Sequence, residues 1–102
     1  MGIFRLSHLA EADLEGITRY TLRQWGEEPT VRYLNAIEER CHKLAEDLSA
    51  GRRCDSIRRD LWRAEQGGHV IFFRRGWGGI HVIRILHQRM MPEMHELDED
   101  QP

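Results

Sequence analysis

A chain of 102 residues, 40% of them apolar, has material for one modest core and so for a single domain. No apolar run approaches the roughly 18–20 residues of a membrane span, the N-terminus lacks a basic stretch followed by a long apolar one, and two cysteines suit a reducing compartment, so a cytoplasmic protein without a secretory signal is expected. The formal charge of −2 conceals a division into −3 over residues 1–51, +6 over residues 52–89 with nine arginines, and −5 over residues 90–102; a pI near 6.3 argues against a dedicated nucleic-acid binder.

Ile3–Ser7 alternates as a short strand does, with Ile3, Arg5 and Ser7 set against Phe4 and Leu6. Ser7 is placed to N-cap a helix whose first turns carry Glu11 and Asp13. Ala10, Leu14, Ile17, Thr21 and Trp25 recur at three- and four-residue steps and mark its apolar face. Gly26 ends this helix, and Pro29 falls in the first turn of a second. Leu34, Ile37, Cys41, Leu44 and Leu48 give that second helix the cleanest periodicity in the chain, up to Gly51. The predicted rod is about 22 residues, or roughly 33 Å. A two- to four-residue connection folds the pair into an antiparallel hairpin. Cys41 within the stripe reads as a small buried hydrophobe, and Cys54 as a loop residue.

After Gly51 the pattern changes. "GRRCDSIRRD" reads as a polar loop, and "LWRAEQ", "HVIFFRR" and "IHVIRILHQR" as strands joined by glycine turns at Gly67-Gly68 and Gly76–Gly79. The predicted order is β-α-α-β-β-β, an α+β fold with an antiparallel sheet and the helical hairpin on one face, over residues 1–90. Residues 91–102 form an acidic tail, expected to be disordered until a partner contacts it. Strict alternation in the last strand puts His81, Ile83, Ile85, His87 and Arg89 on one face and Ile80, Val82, Arg84 and Leu86 on the other.

Several features in this order resemble the ParE branch of the RelE/ParE toxin superfamily over nearly the whole chain. They are Tyr20, Trp25 and Gly26 closing the first helix, Arg32-Tyr33-Leu34 opening the second, Gly51-Arg52 after it, and above all the run Ile83 to Met90. Met91-Pro92 and the acidic tail depart from the pattern, which often ends in a short basic segment. The resemblance implies the RelE-like fold and the toxin of a type II toxin–antitoxin pair. Such a toxin would inhibit DNA gyrase and be neutralised by a ParD-like ribbon-helix-helix antitoxin. The sister branch implies the alternative, an mRNA endoribonuclease, and a non-toxic member that only binds antitoxin is a third possibility.

RNA cleavage needs a base, an acid and cations about the phosphate. Arg74, Arg84 and Arg89 supply charge, but arginine does not shuttle protons, which leaves His87 as the main candidate, with Glu93 or His95 as a second. Tyr20, Tyr33 and Lys43 fall in the predicted helices, away from the sheet. Binding is therefore favoured over catalysis. Arg74, Trp77, His87, Arg89 and Met90 are the candidates for contact with gyrase; Tyr20, Trp25, Arg52, Arg53, Trp62 and Arg84 are those for antitoxin. Trp25 and Trp62 are expected to be buried, and Arg84 has a second reading as a paired structural residue. His81 and His87 stand about 20 Å apart along one strand, and His8, His42 and His69 fall in separate elements, so no metal site is expected; nor is a cofactor or membrane association.

Overall fold

The computed structural model describes residues 2–47, 49–76 and 78–90, so Leu48, Trp77 and the acidic tail lie outside the described residues. The elements are β1 (Ile3–Leu6), α1 (His8–Trp25), α2 (Glu27–Glu46), β2 (Arg52–Arg53), β3 (Trp62–Gln66), β4 (His69–Gly76) and β5 (Gly79–His87). The α+β class and the helical hairpin follow the sequence reading, but the sheet corrects it. The sheet is mixed rather than antiparallel, with five strands in the order β1-β5-β4-β3-β2, because β1 runs parallel to β5 and the supposed loop contributes β2. Tight turns force antiparallel pairing only on the strands they join. Here β1 is separated from β5 by the whole helical hairpin, so its direction is left to packing.

Ser7 caps α1 as expected, its hydroxyl accepting from the Ala10 N–H at 2.9 Å. The connection to α2 is one residue, not two to four. Gly26, at φ 88°, caps α1 with its N–H on the Leu22 carbonyl and opens α2 with its own carbonyl bonded to Thr30 Oγ1 at 2.7 Å. That backbone region favours glycine, which explains the residue. Ala10 and Ile17 of α1, and Ile37, Cys41, Leu44 and Ala45 of α2, enter one core with Ile71, Phe73, Ile80, Val82 and Ile85 of the sheet. The apolar face of α1 gives out before its end, however: Trp25 is 69% exposed rather than buried.

The opposite face of the sheet has its own small core. Cys54, Ile57 and Leu61, from the segment read as polar, cover Val70, Phe72, Ile83 and Leu86. Cys54 does lie in a loop, as read, but a buried one. Its charged neighbours turn outward instead, with Arg53 bonded to Asp55 and Asp60.

Two details fix the sheet against the helices. Register shifts between Phe72 and Phe73, so that Phe73 faces Val82 but Phe72 faces Arg84, leaving Ile83 as a bulge. The bulge breaks the strict alternation predicted for this strand: Ile83 joins the outer core and Ile85 the helix-side core. Arg75 then closes the hairpin's far end. Its guanidinium donates to the carbonyls of Leu44, Asp47 and Ala50 at the end of α2, and sits 4.5 Å from the Trp62 ring centre and 5.4 Å from that of Phe73. Cations are favoured at that pole of the helix dipole and over an aromatic face.

The Arg84–Asp13 pair generates the first prediction. Arg84 Nε and Nη2 each reach the Asp13 carboxylate at 2.8 Å, and the same group accepts the Ile85 N–H at 2.9 Å, with both side chains 12–13% exposed. Asp13→Ala removes the acceptor for a buried cation and a backbone donor together. It is expected to cost about 3–5 kcal/mol in urea unfolding, whereas Asp13→Leu combined with Arg84→Met is expected to cost much less.

Candidate functional site

The candidate residues are dispersed over the fold. At one end of the sheet Arg74 lies with Arg5, Arg75 and His81 around a cavity of about 440 Å³ beside the β4–β5 turn. Arg5, His81 and Arg74 are consecutive partners across β1, β5 and β4, so they share one face. The Arg74 guanidinium donates to the Arg59 carbonyl.

At the other end of β5 stand His87, Arg89 and Met90. His87 and Met90 border a groove of about 390 Å³ between α1 and the strand end, lined also by Asp13, Ile17, Tyr20 and His69 among others. Arg74 pairs with His81, six residues from His87. The residues proposed for one target contact therefore occupy two ends, about 20 Å apart.

The antitoxin candidates divide as well. Tyr20 (59%) and Trp25 (69%) are exposed on α1, and Leu22 and Val31 are exposed near the same hairpin tip. Arg52 bonds Glu65 at 2.7 Å, on the edge strand. Arg53 stands 5.4 Å over the Trp62 ring, which also stacks on Phe73, so Trp62 is enclosed between Arg53, Arg75 and its core neighbour. Arg84 is engaged with Asp13, as its second reading had it.

The groove holds chemistry that the sequence reading missed. Tyr33 is not remote from the sheet. Its hydroxyl reaches 2.6 Å from His69 Nδ1 and 3.1 Å from the Gln66 carbonyl. His69 in turn meets His87 edge to face, ring centres 5.6 Å apart. Burial raises the Tyr33 pKa, and burial followed by the nearby His87 lowers that of His69. His87 Nδ1 accepts the Arg89 N–H at 3.2 Å. The sequence signal for this chain was faint, because an unbulged hairpin would set His69 opposite Leu86. Elsewhere, Cys41 is buried with its pKa pushed up to about 11, chiefly by desolvation, so it is a poor nucleophile. Among the described residues no three His, Cys, Asp or Glu side chains gather as metal ligands.

Comparison with known proteins adds identity to this geometry. The family described as "ParE toxin of type II toxin-antitoxin system, parDE" matches residues 4–92. Toxin ParE1 of Mycobacterium tuberculosis is 38% identical over 88 residues, which is 85% of this chain and 90% of that protein. Toxin ParE1 of Caulobacter vibrioides is 34% identical over 92 residues, 90% and 95% of the two chains. Among solved structures, "Chromosomal ParDE TA system from P. aeruginosa" superposes with a TM-score of 0.71 at 20% identity, covering 85% of this chain and 96% of that one. That likeness bears out the RelE-like fold expectation.

The lowered pKa of His69 sets a pH dependence. The unfolded chain takes up the proton near the ordinary value of about 6.5, while folded His69 resists it. The stability it contributes is present above that value and is lost as pH falls through the window beneath it. Urea midpoints measured between pH 7.5 and pH 5 should fall more steeply for the native chain than for His69→Gln.

Proposed function

Because this chain belongs to the ParE toxin family of type II toxin–antitoxin systems, we propose that it inhibits DNA gyrase in the cytoplasm by protein–protein binding and is neutralised by a ParD-like ribbon-helix-helix antitoxin. The observation that carries this reading is the division of the surface into two kinds. The sheet end presents His87, Arg89 and Met90 on a strand terminus beside an open groove, suited to gripping a protein. The hairpin tip presents Leu22, Trp25 and Val31 to solvent, while Tyr20 is exposed farther back on α1, on the flank of the groove. An exposed apolar group of this kind suits an amphipathic antitoxin segment that covers it.

The rival reading, ribosome-dependent or free cleavage of RNA by His87 with Arg84 and Arg89, gains a second imidazole, His69, beside His87 and a phenol, Tyr33, bonded to His69. It loses Arg84, whose guanidinium is bound through two nitrogens to Asp13 and is nearly buried. A positive group already committed to a carboxylate on α1 is poorly placed to neutralise a phosphate in a transition state. The balance favours binding without catalysis.

Two experiments separate the readings. In a supercoiling assay the purified chain should inhibit gyrase, and His87→Ala combined with Arg89→Ala should raise the concentration needed by about 10–100-fold, while an RNA substrate stays intact. Transcript cleavage abolished by His87→Ala with supercoiling untouched would reverse the conclusion. For the second surface, Trp25→Ala should weaken antitoxin binding by about 30-fold or more, the loss of an aromatic anchor. Its thermal unfolding should match the parent chain, since the side chain is 69% exposed.

A further inference from the structure

His69 and His87 are direct partners across β4 and β5, and the bulge at Ile83 is what brings them opposite each other. Two imidazoles bound at about 2 Å to one ion have their ring centres roughly 5–6 Å apart; here the separation is 5.6 Å, with the rings nearly perpendicular. The tautomer also suits a ligand. With the ring proton on Nδ1, the Tyr33 hydroxyl accepts from His69 and donates to the Gln66 carbonyl, and in that tautomer His69 Nε2 keeps a lone pair for a ligand. Ligating histidines commonly hand their other N–H to a fixed acceptor in this way. Met90 follows in a turn whose N–H bonds the His87 carbonyl at 2.9 Å, and it lines the same groove as both rings.

We propose that His69, His87 and the Met90 thioether form a binding site for a late first-row transition-metal ion, copper before zinc, at the mouth of this groove. Two imidazoles and a thioether suit a borderline or soft ion, and copper heads the affinity order for divalent ions of that row. Hard ions such as magnesium and calcium need oxygen donors that this set lacks. His87 would exchange the long bond from the Arg89 N–H, 3.2 Å, for a proton on Nδ1, which frees its Nε2. The remaining positions on the ion fall to water or to an incoming ligand, so the site is an open chelate. This inference stands apart from the choice of toxin target.

The test is titration of the full chain with copper(II) sulfate, followed by calorimetry and electron paramagnetic resonance. One ion per chain, two coordinating nitrogens and a raised melting temperature are expected. His87→Gln, at an exposed position, should melt like the parent without metal and bind copper at least tenfold more weakly. Tyr33→Phe should weaken binding by about tenfold through release of the His69 ring. Under ascorbate, Met90→Leu should weaken copper(I) more than copper(II). An unchanged isotherm for His87→Gln would assign the binding to other histidines and overturn the proposal, while supercoiling inhibition by metal-free protein would be unaffected by that failure.

Discussion

Strand β5 runs five residues beyond the point where β1 stops pairing with it, and helix α1 has to complete the edge that β1 leaves open. Unpaired backbone groups along a half-buried strand are costly, so the substitutes must be exact in kind: a donor for each carbonyl and an acceptor for each N–H. Ser7 gives its hydroxyl to the Ile83 carbonyl at 2.6 Å while its N–H bonds Val82, and Asp13 takes the Ile85 N–H. One turn of helix thereby acts as a strand. Ser7 is wholly buried because it has three tasks, capping α1 being the third.

The bulge belongs to the same arrangement. An extra residue in β5 moves every later residue of the strand by one place relative to β4, and Arg84, which follows it directly, pairs with the carboxylate on α1. His87 would otherwise lie out of register with His69. A packing device at the helix–strand seam therefore decides which side chains meet at the groove. The two ends of the sheet consequently differ in character: the β4–β5 turn gathers arginines on one face, and the other end gathers imidazoles, a phenol and a thioether.

Much of this was legible in the sequence. The helical pair, its cap at Ser7, its stop at Gly26, the burial of Cys41 and the three long strands follow from periodicity and turn glycines, which are local signals. What was hidden depends on long-range pairing. The parallel contact of β1 has no local signature, since a four-residue strand reads the same in either direction. Trp25 belongs to the apolar period of α1 but extends past the sheet that would cover it. Cys54, Ile57 and Leu61 were lost among arginines and aspartates whose charges pair outward. The groove was half visible: His87 stood out for its place at a strand end, whereas its pairing with His69 rests on an insertion that alternation cannot foresee, and the Tyr33–His69 contact on the docking of α2 against β4. Arg75 was overlooked beside Arg74, because adjacent residues of a strand face opposite ways and only the fold says which one meets the end of α2.

The distribution of the two thiols has its own consequence. Cys41 is sealed in the layer between helices and sheet, and Cys54 in the layer on the opposite side, both unpaired and both with raised pKa values. Neither presents a thiolate to oxidants, so peroxide should leave both cysteines unmodified while the protein stays folded. Each sulfur becomes a reporter for its own layer, and the rate at which an alkylating reagent finds it measures how often that layer opens.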